Sequence, residues 1–190
     1  MTDPPTPSHV PAGATPEGDG IVLGDGPVRV DAYIDFLCPY CRRFELGSGP
    51  ALADLVARKQ ISLVYHPMNF LDEASTTGYS TRAAVASGCA SDFGRFLEYA
   101  HALFVNQPPE GGPGLSDDEL AALGDAAGLP GPGFAARLAD GLYLDWPSYV
   151  TVRAAAAGVS GTPTVLVAGA PVPPDSEAVA VAVDQASARL

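Results

Sequence analysis

Cys38-Pro39-Tyr40-Cys41, lying between a strand pattern and a helix pattern, constrains this chain more than any other stretch. Val28, Val30, Ala32, Ile34 and Phe36 alternate with Arg29, Asp31, Tyr33 and Asp35, the period of a strand with one strongly apolar face. Arg42, Arg43, Phe44, Glu45 and Leu46 continue the chain as a helix. A cysteine at such a junction meets unpaired backbone N–H groups and the positive end of the helix dipole, which favour a thiolate. Pro39 suits a first helical turn, where its missing N–H costs nothing. Cys41 falls one turn along the same face, so its sulfur can reach that of Cys38. The strand, the turn and the paired thiols describe a redox disulfide.

Two blander readings of the motif fare worse. Structural zinc needs four ligands, yet the only other cysteine is Cys89, and His9, His66 and His101 are scattered. No metal site is expected. A static disulfide with two residues between its cysteines closes too small a loop to stabilise much.

The net charge of −12 argues against a nucleic-acid backbone or an anionic membrane surface as partner. Residues 1–20 carry five prolines and three glycines and read as a flexible leader. They contain no basic start or apolar run, so no export peptide is visible, and no stretch approaches a membrane span. Two localisations follow. An anchor or signal upstream of Met1 would make the protein extracytoplasmic; a native start at Met1 would make it cytoplasmic.

Along the chain, Gly24-Asp25-Gly26-Pro27 is a turn that launches the first strand. Gly47-Ser48-Gly49-Pro50 predicts a kinked or broken helix before Leu52, Leu55 and Val56. Ile61–His66 is a second strand. A helix is expected from about Thr81 to Asn106, with Gly88 and Gly94 as the points where it would loosen or split. Ser116 and Glu119 form a capping box, with Leu115 and Leu120 spaced as a staple. Short helices follow near 134–142 and 146–157, then strands at 164–167 and 170–172 and a last helix from Ser176 to Arg189.

This order, β-α-β, helical block, β-β-α, resembles the thioredoxin superfamily, and the helical block resembles its DsbA-like branch. Three stretches carry the resemblance: YIDFLCPYCRRFE, GCASDFGRFLEYAHALF and GVSGTPTVLVAG. It implies an α/β thioredoxin-like fold built from residues 21–74 and 158–190, with residues 75–157 as an inserted helical domain. It implies a protein disulfide oxidoreductase in which Cys38 is the exposed nucleophile and Cys41 the buried resolving cysteine. Pro163 matches a cis-proline beside the disulfide, and Thr162 the residue before it. Pro39, Tyr40, Thr162 and Pro163 are the residues expected to meet substrate, by strand addition along the cis-proline backbone. No cofactor is implied beyond the Cys38–Cys41 disulfide.

The expected partners are reduced or unfolded proteins and a reoxidising protein, with a membrane quinone reductase as one candidate. Isomerases of this kind usually dimerise, and residues 1–20 contain no dimerisation helix, so a monomer is expected. An oxidase is the favoured activity. The alternatives are a reductase or isomerase, a glutathione-type transferase, and a peptide-binding holdase that intact Cys38 and Cys41 weigh against. The helix N-terminus should lower the Cys38 pKa into the roughly 3.5–7.5 range of such motifs. Tyr40 brings no positive charge, so an oxidant of intermediate strength is expected.

Many relatives hold a proton-relaying acid six residues before the nucleophile. Here that position is Ala32, and proton transfer to Cys41 through water is expected instead. Asp35 falls on the opposite strand face and reads as a solvated or hydrogen-bonding strand-end residue. Cys89 reads as a buried inert thiol, His66 as structural and His101 as a surface residue. Tyr99, Trp146 and Tyr149 fit core packing as well as a substrate surface.

Overall fold

The computed structural model describes residues 6–189. A five-stranded mixed sheet runs in the order β1-β3-β2-β4-β5. The strands are β1 (Ile21–Leu23), β2 (Val28–Ile34), β3 (Ile61–Pro67), β4 (Thr164–Val167) and β5 (Ala170–Val172). β2 and β3 are parallel and joined by α1 (Pro39–Ala57); the other pairs are antiparallel. Five helices stand between β3 and β4: α2 (Tyr79–Ser91), α3 (Phe96–Val105), α4 (Asp117–Ala126), α5 (Gly131–Ala139) and α6 (Trp146–Ala156). α7 (Ser176–Ser187) closes the chain and packs with α1, β2 and β4. The short β1, which the sequence pattern did not separate from the leader, pairs with β3.

The structure meets some local expectations and corrects others. α1 is one continuous helix across Gly47–Pro50. Pro50 removes the hydrogen bond to the Leu46 carbonyl, but both residues are exposed, so water can take that acceptor. Packing then decides the outcome, since Phe44, Glu45, Ser48 and Leu52 are buried on either side of the interruption. The helix expected from Thr81 to Asn106 divides into α2 and α3 at Gly94, which takes a φ of 68°. Gly88 does not loosen α2. A Cβ there would stand 2.8 Å from Pro11 and 3.2 Å from the Trp146 ring, so its smallness admits those two side chains. The capping box at Ser116 and Glu119 is present, with both reciprocal bonds made.

Residues 6–20, expected to be a flexible leader, lie along the helical block and the sheet; residues 1–5 of that stretch lie outside the described residues. The Ala12 carbonyl accepts from Ser91 Oγ, and the Ala12 N–H donates to Asp92 at 3.0 Å. Trp146 Nε1 donates to the Gly18 carbonyl at 2.8 Å, and Tyr149 Oη to that of Glu17 at 2.8 Å. Prolines here fix an extended path whose carbonyls find donors on α2 and α6. This strap explains a second difference. The polar side of β2 was expected to contrast with its apolar side, yet Asp31, Tyr33 and Asp35 are buried too. The strap and α6, which packs on β3, cover that side of the sheet.

Candidate functional site: a thiol pair at the mouth of a helix

Cys38 caps the N-terminus of α1 in extended conformation, and Pro39 occupies the first helical turn. The Cys41 N–H points at Cys38 Sγ, 3.4 Å away. The Thr162 carbonyl lies 3.3 Å from the same sulfur, and the Thr162–Pro163 peptide bond is cis. Cys41 is fully buried, and its sulfur accepts from the Asp35 N–H at 3.4 Å. Both cysteines are free thiols in this structure.

The two thiols are driven apart in acidity. A hydrogen bond from the Cys41 thiol does most to stabilise the Cys38 thiolate. Burial opposes it, but contacts at Thr162 and the N–H groups of Cys41 and Tyr40 add to it, and the Cys38 pKa falls to about 6. Cys41 is pushed far up, first by burial and then by its bond to Cys38. At neutral pH one sulfur is therefore an anion and the other holds its proton.

Cys38 is less open than expected, at 4 % exposure, because it forms the floor of a cleft. That cleft, of about 540 Å³, is lined by Cys38, Pro39, Tyr40, Phe70, Gly161 and Thr162 among others. Tyr40 and Phe70 stand exposed beside it, so an apolar rim surrounds a reactive sulfur. Pro163 is half-buried and is not among the residues lining the cleft. The structure thus gathers Cys38, Cys41, Pro39, Tyr40 and Thr162 into one place.

The sequence reading missed the residues that hold this turn. Gln107, after α3, donates from Nε2 to the carbonyls of Phe36 (2.9 Å) and Cys38 (3.0 Å). Arg42 Nε donates to the Phe104 carbonyl at 2.9 Å. Of the two readings given to Asp35, the hydrogen-bonding one holds and the solvated one does not: it is fully buried and accepts from the N–H groups of Leu37 and Leu71 and from Ser80 Oγ, at 2.8, 2.8 and 2.6 Å. Burial pushes its pKa up to about 6 against those three bonds. No signal in the sequence separates such an aspartate from an exposed one, since Ser80 and Leu71 reach it only through the fold. Ala32 lies buried between Tyr65 and Val165 in the sheet, and the Tyr65 hydroxyl donates to buried Glu45 at 2.8 Å.

The remaining candidates lie elsewhere. Cys89 is buried among the helices and burial pushes its pKa up to about 12, as suits an inert thiol. His66 is buried between the Asp19 carbonyl and Asp31. His101 is exposed. Tyr99 and Trp146 are core residues, and Tyr149 binds the strap; none of the three lines the cleft.

A family model described as thioredoxin matches residues 17–185. Over 90 % of its length the chain superposes on reduced DsbA from Mycobacterium tuberculosis, with 31 % identity, a TM-score of 0.70 and 98 % of that chain covered. The chain belongs to the DsbA-like thioredoxin family of thiol–disulfide oxidoreductases. It is also similar to the reduced disulfide oxidoreductase DsbG of M. tuberculosis, with 32 % identity, a TM-score of 0.75, and 90 % of this chain and 88 % of that one covered. A third similarity is to serine/threonine-protein kinase PknE of M. tuberculosis, 34 % identical over 119 residues. That match takes in 58 % of this chain and only 21 % of the kinase. Among the described residues no helix is long and apolar enough to cross a membrane.

Proposed function

We propose that this DsbA-like chain is a protein-disulfide oxidase, donating the Cys38–Cys41 disulfide to reduced or unfolded proteins outside the cytoplasm. The observation that carries the reading is the split acidity of the two thiols at the floor of an open cleft. A substrate thiolate attacks Cys38 Sγ; the Cys38–Cys41 bond breaks, and Cys41 leaves and takes up a proton in its buried position. A second substrate thiolate then attacks the substrate sulfur of the mixed disulfide, and Cys38 leaves as a thiolate. The substrate loses two electrons and the pair gains them. A leaving group with a pKa of about 6 favours the second step and stabilises the reduced enzyme, which is what an oxidant needs.

Pro39, Tyr40, Thr162 and Pro163 supply the surface along which an extended substrate segment would pair. Outside the cytoplasm the spent dithiol needs a reoxidising protein, of which a membrane quinone reductase is the class that fits. The enzyme would act as a monomer.

The test pairs oxidative refolding of a reduced, unfolded substrate with insulin reduction. Oxidation without isomerisation supports the assignment; insulin reduction alone, with a potential as low as a cytosolic reductase's, overturns it. In Cys41→Ser, mixed disulfides should accumulate through Cys38, and recovery of none would remove the roles given to both cysteines.

A further inference from the structure

Arg43 departs from the charge pattern of the rest of the molecule. The chain has 22 acidic residues and 10 Lys and Arg, so unpaired acids are unavoidable and an unpaired cation is not. From Arg29 to Arg153 the cations take carboxylate partners: Arg29 with Asp31, Arg58 with Asp54, Lys59 with Asp25, Arg82 with Asp117, Arg95 with Glu98, Arg137 with Asp92 and Arg153 with Asp19. Among the described residues only Arg42 and Arg43 in that span have none, and Arg42 is spent on the Phe104 carbonyl. Arg43 instead lies over the exposed Tyr40 ring, 5.5 Å from its centre, where it lines the cleft above Cys38. Glu110 lines the same cleft and has no ion-pair partner among the described residues, Arg43 included. Two opposite charges are therefore left open in the one cleft where the reactive sulfur sits.

We propose that Arg43 and Glu110 select substrate segments by charge, favouring a cysteine with an acidic side chain on one flank, against Arg43, and a basic one on the other, against Glu110. This rests on the exchange reading above and names the class of segment that site prefers. An extended segment rises roughly 3.3 Å per residue and alternates its side chains. Residues two places before and after the reacting cysteine therefore point into the cleft with it, about 7 Å to either side. Those are the positions that would meet the two charges. The Tyr40 ring holds the Arg43 guanidinium in place without neutralising it, so the charge stays available to the incoming strand.

The experiment uses the oxidised full chain and short single-cysteine peptides carrying Glu, Gln or Lys two residues before or after the cysteine. The rate of loss of the enzyme disulfide is followed by acid quench and mass spectrometry. Each rate is divided by that peptide's rate with a small-molecule disulfide, which removes differences in peptide thiol acidity. At one flank Glu should outpace Lys by about two- to fivefold, the range of a solvent-exposed ion pair. The preference should shrink with added salt, vanish in Arg43→Gln and invert in Arg43→Glu. At the other flank Lys should be favoured and Glu110→Gln should abolish the difference. Because ratios are read, any change in Cys38 itself cancels. Equal normalised rates in the wild type, or a preference that survives Arg43→Gln, would overturn the charge selection alone. Failure of every peptide to exchange, the Gln peptides included, would instead overturn the oxidoreductase reading beneath it.

Discussion

Asp31 and Asp35 lie four residues apart on the same side of one strand and its extension, and both are buried. Their environments drive them in opposite directions. Burial pushes Asp31 up, but hydrogen bonds and charge from His66 and Arg29 outweigh it and hold its carboxyl below the ordinary value. Asp35 meets only neutral donors, and burial wins, raising it to about 6. The strand thus carries a charged, ion-paired carboxylate at its structural end and a desolvated one, held by neutral donors, at its redox end. A cation beside Asp35 would be a cation close to the thiols, and would alter the balance that sets Cys38. The neutral cage of Ser80, Leu37 and Leu71 positions the active-site turn without adding that charge.

The contrast can be broken from either side. The largest effect is expected at Asp31→Asn, which strands the buried His66 and half-exposed Arg29; unfolding in urea should show a loss of about 3–5 kcal/mol, with exchange activity per folded molecule kept. Asp35→Asn should cost less, about 1–3 kcal/mol, because an amide cannot accept at all three donors. It also removes a like charge that faces Cys38, so thiolate absorbance should titrate at lower pH than in the wild type; a rise would refute the placement of that charge. Gln107→Ala should be milder, about 1 kcal/mol, because it removes one neutral donor shared by two carbonyls of the turn.

The smallest and sharpest test is the pH dependence of the oxidised protein, in which the Cys38 thiolate is absent. Burial holds the folded pKa of Asp35 above its unfolded 3.8, so its destabilising effect is absent below about 4 and grows as pH rises toward the folded value. The advantage of Asp35→Asn's parent should therefore shrink as pH rises through that window. Asp31 has the opposite sign: its contribution is present above its unfolded value and is lost as pH falls through the lowered folded value. Parallel pH profiles for the two variants would erase the distinction.

Much of the site was legible because it is local. A strand, a helix and two cysteines one turn apart are encoded within residues 28–46, and their mutual placement follows from helix geometry. Gly161–Thr164 was legible only through family resemblance, since nothing in its own residues announces a neighbour more than a hundred positions away. Gln107 and Ser80 were not legible at all, and Asp35 was legible as a hydrogen-bonding strand-end residue but not as a buried one. A glutamine after one helix and a serine in the first turn of another are ordinary surface residues until a further element buries them. The leader differs for a similar reason: proline and glycine reduce local structure, and partners from distant elements, among them Trp146, Tyr149, Ser91, Asp92 and His66, give residues 6–20 a fixed path.

The amino-acid order alone determined that two thiols would stand one turn apart at a helix mouth, because local backbone geometry and a three-residue spacing suffice for it. Only the tertiary structure decided how strongly the two thiols are driven apart in acidity, how far Asp35 is from water, and which charges remain open over the sulfur. Those outcomes depend on desolvation and on partners supplied across the fold, and both are properties of the packed chain.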